Sequence, residues 1–240
     1  MGNIFSKDGM GTKIIEALPG GGYFTAIFHA AAGNAVHAVQ AAIAGFGTLA
    51  ALTLGPVASA IAAAGTASLS AIFEQMGLSD DKKQEAITAA ENGKYDRAAE
   101  ILVKAGSEKV AENSRQLSAE SGGFRCLKSV HGTYLCAYDR KWKVGMVPGP
   151  ARKREKWYVK DWGGKVVFKA IHLRRFLSAH EDGHVHLVDR PQAWETWSPF
   201  KNEDGSWSFL SVHNRWLSAS EDKSVTTVEK CAASEHFWVE

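Results

Sequence analysis

Phe209-Leu210-Ser211-Val212-His213 is the third appearance of one phrase. It stands earlier as Leu127-Lys128-Ser129-Val130-His131 and as Phe168-Lys169-Ala170-Ile171-His172. A second phrase, Tyr134-Leu135-Cys136-Ala137, returns as Phe176-Leu177-Ser178-Ala179 and as Trp216-Leu217-Ser218-Ala219. Val144 answers to Val185 and Val225. Glu155-Lys156-Trp157 answers to Glu195-Thr196-Trp197 and Glu235-His236-Phe237. Four separate markers keep one period, and a fixed period is the signature of a repeat architecture.

Each unit carries four short apolar runs. In the second unit these are Val166–Ala170, Arg175–Ala179, His184–Val188 and Thr196–Phe200, separated by Leu173-Arg174, Glu181-Asp182-Gly183 and Asp189-Arg190-Pro191. Short β-branched and aromatic runs, broken by Gly, Asp and Pro, read as β-strands. Three units of four strands predict a closed β-trefoil over 121–240, with repeats at 124–165, 166–206 and 207–240. Six strands would form a barrel and three hairpins would cap it. Leu135, Leu177 and Leu217, with Trp157, Trp197 and Phe237, are the expected threefold core layers. A propeller blade also has four strands, but three blades do not close around a filled centre.

The pattern aromatic-Leu-(Ser/Cys)-Ala, then Val, then Glu-x-aromatic, resembles the repeat of the fascin and hisactophilin family of actin-crosslinking β-trefoils. The resemblance covers the C-terminal half and implies actin as a partner. It transfers core and turn positions, and no actin-contacting residue. Ricin-type lectins are the competing trefoil family. They repeat Gln-x-Trp, a triplet found here at Gln192-Ala193-Trp194 and not at its counterparts Arg152-Lys153-Arg154 and Ala232-Ala233-Ser234.

The chain has 240 residues and a net charge of +2. No strong field points to nucleic acid. Cys126, Cys136 and Cys231 form no framework spacing, which suits a reducing, cytoplasmic compartment and small buried thiols. No cofactor is implied. The first residues hold Lys7, Asp8 and Lys13 and no long apolar run, so a secretory signal is not expected.

Residues 1–22 form an N-terminal segment. Met1-Gly2-Asn3-Ile4-Phe5-Ser6 fits the N-myristoylation pattern, with Gly2 as the acylated residue. Residues 23–120 read as an α-helical, Gly/Ala-rich domain, so the fold class is α+β and multidomain. No Asp, Glu, Lys or Arg occurs between Ala17 and Phe73. Helices up to Leu54 and from Val57 to Met76, broken at Gly55-Pro56, make an apolar hairpin over 23–76. Each arm is near the length that crosses a bilayer. Phe46, Leu49, Leu52, Leu54, Ile61, Leu69, Ile72 and Phe73 are the expected membrane-contacting residues. The same Ala and Gly positions also suit a packed core or a homo-oligomer. A polar helical hairpin follows over 79–118, with Ser79 as N-cap, Asn92-Gly93 between the helices and a stop near Gly106. Ser121-Gly122-Gly123 is the expected hinge.

Seven of the nine histidines fall in the trefoil. His184 and His186 alternate onto one strand face, but no Cys or acid of fixed spacing completes a metal site. His131, His172 and His213 repeat with the fold, which predicts one structural role at the turn after the first strand. The densest basic stretch is Lys141, Trp142 and Lys143 with Arg152, Lys153, Arg154 and Lys156. It suits anionic head groups or an acidic partner. No catalytic motif is present. These features predict a non-enzymatic, membrane-associated binding protein with actin as partner. The alternatives are a pore former whose trefoil recognises a glycan receptor, and a soluble oligomeric scaffold.

Overall fold

The computed structural model describes residues 78–240, together with the helical positions Ala58, Ile61 and Ala62. The chain divides into two compact units, Met1–Lys109 and Val110–Glu240. Gly2, Phe46, Leu49, Leu52, Leu54, Leu69, Ile72 and Phe73, and with them most of the apolar hairpin, lie outside the described residues. Ile61, another of the expected membrane-contacting residues, is 1% exposed. Among the described residues no helix is long and apolar enough to cross a membrane.

The first unit contains α1 (Asp80–Glu91) and the start of α2 (Tyr95–Ala119). Ser79 precedes α1 as expected. Its carbonyl accepts from Lys83 N–H, while its hydroxyl makes no capping bond. Asp80 and Asp81 lie in the first turn, where carboxylates meet the positive end of the helix dipole. Gly93 adopts φ +71° and turns the chain into α2. Arg97 reaches back to Glu85 at 3.1 Å.

The expected stop at Gly106 is absent: α2 runs through it without a break. A glycine inside a helix costs about 1 kcal/mol. Burial of Leu102, Val103, Ala105 and Val110 on both sides outweighs that. The second compact unit begins at Val110, inside α2. Leu117 joins the trefoil core. Asn113 Nδ2 donates to the Pro199 carbonyl at 3.0 Å, and the Ser114 hydroxyl lies within hydrogen-bond reach of both Asp161 and the Lys165 carbonyl.

The second unit is an antiparallel sheet of thirteen strands: β1 (Phe124–Arg125), β2 (Leu127–Ser129), β3 (Tyr134–Ala137), β4 (Val144–Val147), β5 (Trp157–Trp162), β6 (Lys165–Ala170), β7 (Arg175–Ala179), β8 (Val185–Val188), β9 (Trp197–Lys201), β10 (Trp207–Ser211), β11 (Trp216–Ala219), β12 (Val225–Val228) and β13 (Phe237–Val239). Twelve were expected. The extra one arises because Cys126 interrupts the first strand, where it exchanges both backbone hydrogen bonds with Glu240. With β1 and β2 taken as one, the pairings β1-β5-β6-β9-β10-β13-β2 close a six-stranded barrel. Hairpins β3-β4, β7-β8 and β11-β12 stand off it. This is the β-trefoil arrangement.

Strands β8 and β12 alternate buried and half-buried residues, the period-2 pattern of a one-faced strand. Leu135, Leu177 and Leu217 are fully buried, as are Trp157, Trp197 and Phe237. Trp157 Nε1 donates to the Leu135 carbonyl at 2.9 Å, and Trp197 Nε1 to the Leu177 carbonyl at 3.3 Å. Phe237 has no such donor. The indoles thus satisfy their polar edge inside an apolar layer.

Three backbone hydrogen bonds link the hairpin tips in a ring. Met146 N–H donates to the Lys223 carbonyl, Leu187 N–H to Trp142 and Thr227 N–H to Gly183, at 3.0, 2.9 and 2.8 Å. Each repeat gives one bond and receives one. The three acceptors all hold positive φ, at +71°, +53° and +92°.

Candidate functional site

Each repeat turns into its last strand through a single 3-10 turn: Lys153–Glu155, Ala193–Glu195 and Ala233–Glu235. The closing glutamate is buried in all three. Its carboxylate accepts the backbone N–H of Arg152, Gln192 or Ala232 at 2.7, 2.6 and 2.6 Å. The repeated Glu-x-aromatic is therefore a frame, and the aromatic after it is core. Gln192-Ala193-Trp194 is a different thing: Trp194 is exposed, and the buried indole of that repeat is Trp197.

On this common frame the first repeat departs from the others. Five residues, Pro148–Arg152, separate β4 from its turn, where the second and third repeats use four, Asp189–Gln192 and Glu229–Ala232. Gly149 adopts φ +93°, a value side chains rarely take. The longer connection lines an open groove of about 530 Å³. Tyr138, Pro148 and Pro150 give it flat apolar walls, and Arg152, Lys153 and Arg154 give it cations. Gly145 supports the Tyr138 ring from behind, since a Cβ there would meet Cε2 at 3.0 Å.

The charges are not equally committed. Arg154 pairs with Asp139 at 2.8 Å. Asp139 is also 3.3 Å from His172 Nε2. Arg152 and Lys153 are exposed and form no ion pair among the described residues. Burial, then its hydrogen bond with Glu155, pushes the thiol of Cys136 on the groove's wall up to about 12.

The basic residues singled out in the sequence thus divide. Arg152, Lys153 and Arg154 line the groove. Lys156 follows the turn and is exposed outside that lining. Lys141, Trp142 and Lys143 form the hairpin tip against the second repeat. There Lys143 bridges to His186, and the Arg175 guanidinium lies 3.5 Å from the Trp142 ring centroid.

The histidines also divide. His131 is exposed, His172 sits beside Asp139, and His213 is 4% exposed. One shared structural role, as expected from the repeat, does not describe them. His184 and His186 stack with centroids 6.0 Å apart. Among the described residues no group of three His, Cys, Asp or Glu is arranged to hold a metal ion.

Sequence reasoning passed over Tyr138, Pro148, Gly149 and Pro150, and took in Trp194 only as the end of the Gln-x-Trp triplet. A signal existed for the groove: Val147 to Glu155 is one residue longer than Val188 to Glu195 or Val228 to Glu235.

No protein-family model matches the chain. No characterised protein matches it in sequence either. Among solved structures, a GlcNAcα1-4Gal-releasing endo-β-galactosidase from Clostridium perfringens is similar over 48% of this chain, at 16% identity and a TM-score of 0.44. The match spans 31% of the enzyme's own length. SeviL, solved bound to the asialo-GM1 saccharide, is similar over 49% of this chain and 96% of its own, at 17% identity and a TM-score of 0.44. Neither likeness carries a ligand over to this chain. The fascin and hisactophilin family does not appear in these two comparisons.

Proposed function

We propose that the protein is a non-enzymatic binding protein whose β-trefoil holds an acidic saccharide in the groove of the first repeat. One observation carries the reading. Where threefold symmetry breaks, the chain opens a groove lined by Tyr138 and two prolines and places the unpaired cations Arg152 and Lys153 on its rim. The volume suits a small ligand. Flat apolar walls suit the CH faces of sugar rings, and guanidinium and ammonium groups suit carboxylate or sulfate. An actin filament needs a broad contact of about 800 Å² per partner, for which the groove is not shaped. The glycan alternative is therefore preferred to the actin reading. Membrane association through Gly2 and residues 23–76 remains a proposal that rests on sequence alone.

The test is titration of the purified protein with sulfated and sialylated oligosaccharides beside their uncharged parents. Binding to the acidic members, lost in Arg152→Glu/Lys153→Glu with the fold intact, is the expected result. Equal affinity of that variant and the wild type overturns the reading.

A further inference from the structure

The second repeat carries the counterparts of the groove-lining residues without their cations. His180 takes the place of Tyr138: the backbone N–H of each closes its own hairpin tip, on His184 and on Lys143. Gln192 takes the place of Arg152, Ala193 of Lys153 and Trp194 of Arg154, position for position in the 3-10 turn. Trp194 is 39% exposed. Its ring lies 5.0 Å from His180 and 5.1 Å from His213, both edge to face.

His213 is the second observation. It comes from the neighbouring repeat and is almost wholly buried, and its Nε2 has no hydrogen-bond partner. The ring is already bonded to the backbone of Ala179. An acceptor left buried and unpaired costs about as much as a lost hydrogen bond, so a bare one beside an exposed indole marks an unfilled contact. Burial holds His213 and His186 below the usual imidazole range. Glu181 and Asp182 stand exposed beside them. An anion therefore gains nothing here, and a hydroxyl-rich neutral ring matches both features.

We propose that the second repeat binds an uncharged saccharide, which stacks its CH face on Trp194 and donates a hydroxyl to His213 Nε2 as the indole tilts outward. The trefoil then holds two saccharide sites of different charge. The proposal shares with the first-repeat reading only the idea that the trefoil binds glycans; different residues carry it.

The experiment uses the full chain labelled with ¹⁵N and titrated with lactose, chitotriose and mannotriose. The Trp194 indole and His213 ring signals are followed, each assigned from Trp194→Phe and His213→Gln. At least one of these sugars is expected to move both signals, with affinity falling about ten-fold in Trp194→Ala. Arg152→Glu/Lys153→Glu is expected to leave that titration unchanged. No movement of either signal up to about 20 mM sugar overturns the proposal, and so does wild-type affinity in Trp194→Ala. The two readings separate cleanly. If acidic sugars bind and uncharged ones do not, the first-repeat site stands and this one falls. The reverse outcome does the opposite.

Discussion

The Leu187 N–H donates to the Trp142 carbonyl at 2.9 Å, binding the second repeat to a hairpin tip of the first. The acceptor sits at φ +53°, and its counterpart in the third repeat, Lys223, at φ +71°. The second repeat meets the same demand with Gly183. Left-handed backbone costs an ordinary residue about 1–2 kcal/mol, and a glycine adds about 0.5–1 kcal/mol of unfolded-state entropy. The difference favours glycine at the exposed Lys223. Lys223→Gly is expected to raise stability by roughly 0.5–1 kcal/mol. Gly183→Ala should lower it, because its Cβ would lie 3.0 Å from the Thr227 carbonyl. Urea unfolding of the two variants checks both signs.

The buried glutamates are a second place where small changes are costly. Glu195 accepts the Gln192 N–H at 2.6 Å and the Ser178 hydroxyl at 2.5 Å. Glu195→Ala strands both donors, at about 1–3 kcal/mol each if neither finds water. We expect a loss of about 2–4 kcal/mol, with Glu195→Gln losing less because its amide oxygen still accepts one bond. Denaturant midpoints report the order.

Acid should weaken the fold through the second-repeat patch. His186 and His213 have imidazoles held below their ordinary value, first by burial. Around them lie His180, His184, Glu181, Asp182, Glu195 and Arg215. The unfolded chain binds protons at these positions before the folded chain does. Their stability contribution is thus complete above about pH 6.5 and is lost as pH falls through the folded values. His213→Asn is expected to flatten the decline between pH 7 and 5 in thermal melts. A variant as acid-sensitive as the wild type would point to other groups.

Binding in the first-repeat groove should be salt-sensitive. Arg152 and Lys153 are exposed, so their attraction for a sulfate or carboxylate is screened over about 10 Å at 0.1 M ionic strength. Affinity for an acidic oligosaccharide is expected to fall several-fold between 0.05 and about 0.5 M salt, while Trp194-dependent binding stays constant. Gly145→Ala, which crowds Tyr138 from behind, should weaken the first site without touching the second. Calorimetric titration at two salt concentrations separates the effects.

The trefoil was legible because its core repeats. Leu135, Leu177 and Leu217 and the aromatics Trp157, Trp197 and Phe237 each mark a layer that three-fold packing forces into one pattern. The break at Cys126 was not legible, since nothing in a single strand reveals that Glu240 pairs with it. Nor was the passage of α2 through Gly106, where packing overrode a weak local preference. The basic stretch divides in the fold for a geometric reason. Residues close in sequence fall on different elements: Lys143 forms a backbone bridge with His186, while Lys153 lines the groove. Trp194 was read as part of a Gln-x-Trp triplet, although the frame places the buried aromatic three residues later.

The ring of bonds between the hairpin tips has a consequence for how this chain can diversify. Each of its three bonds is main chain to main chain, so the ring dictates backbone shape at three positions and leaves the side chains of the 3-10 turns free. The turn position that carries Arg154 in one repeat carries Trp194 in the next and Ser234 in the last. A lock indifferent to its decoration lets one barrel present three unrelated faces, and a change of ligand on one need not be negotiated with the other two.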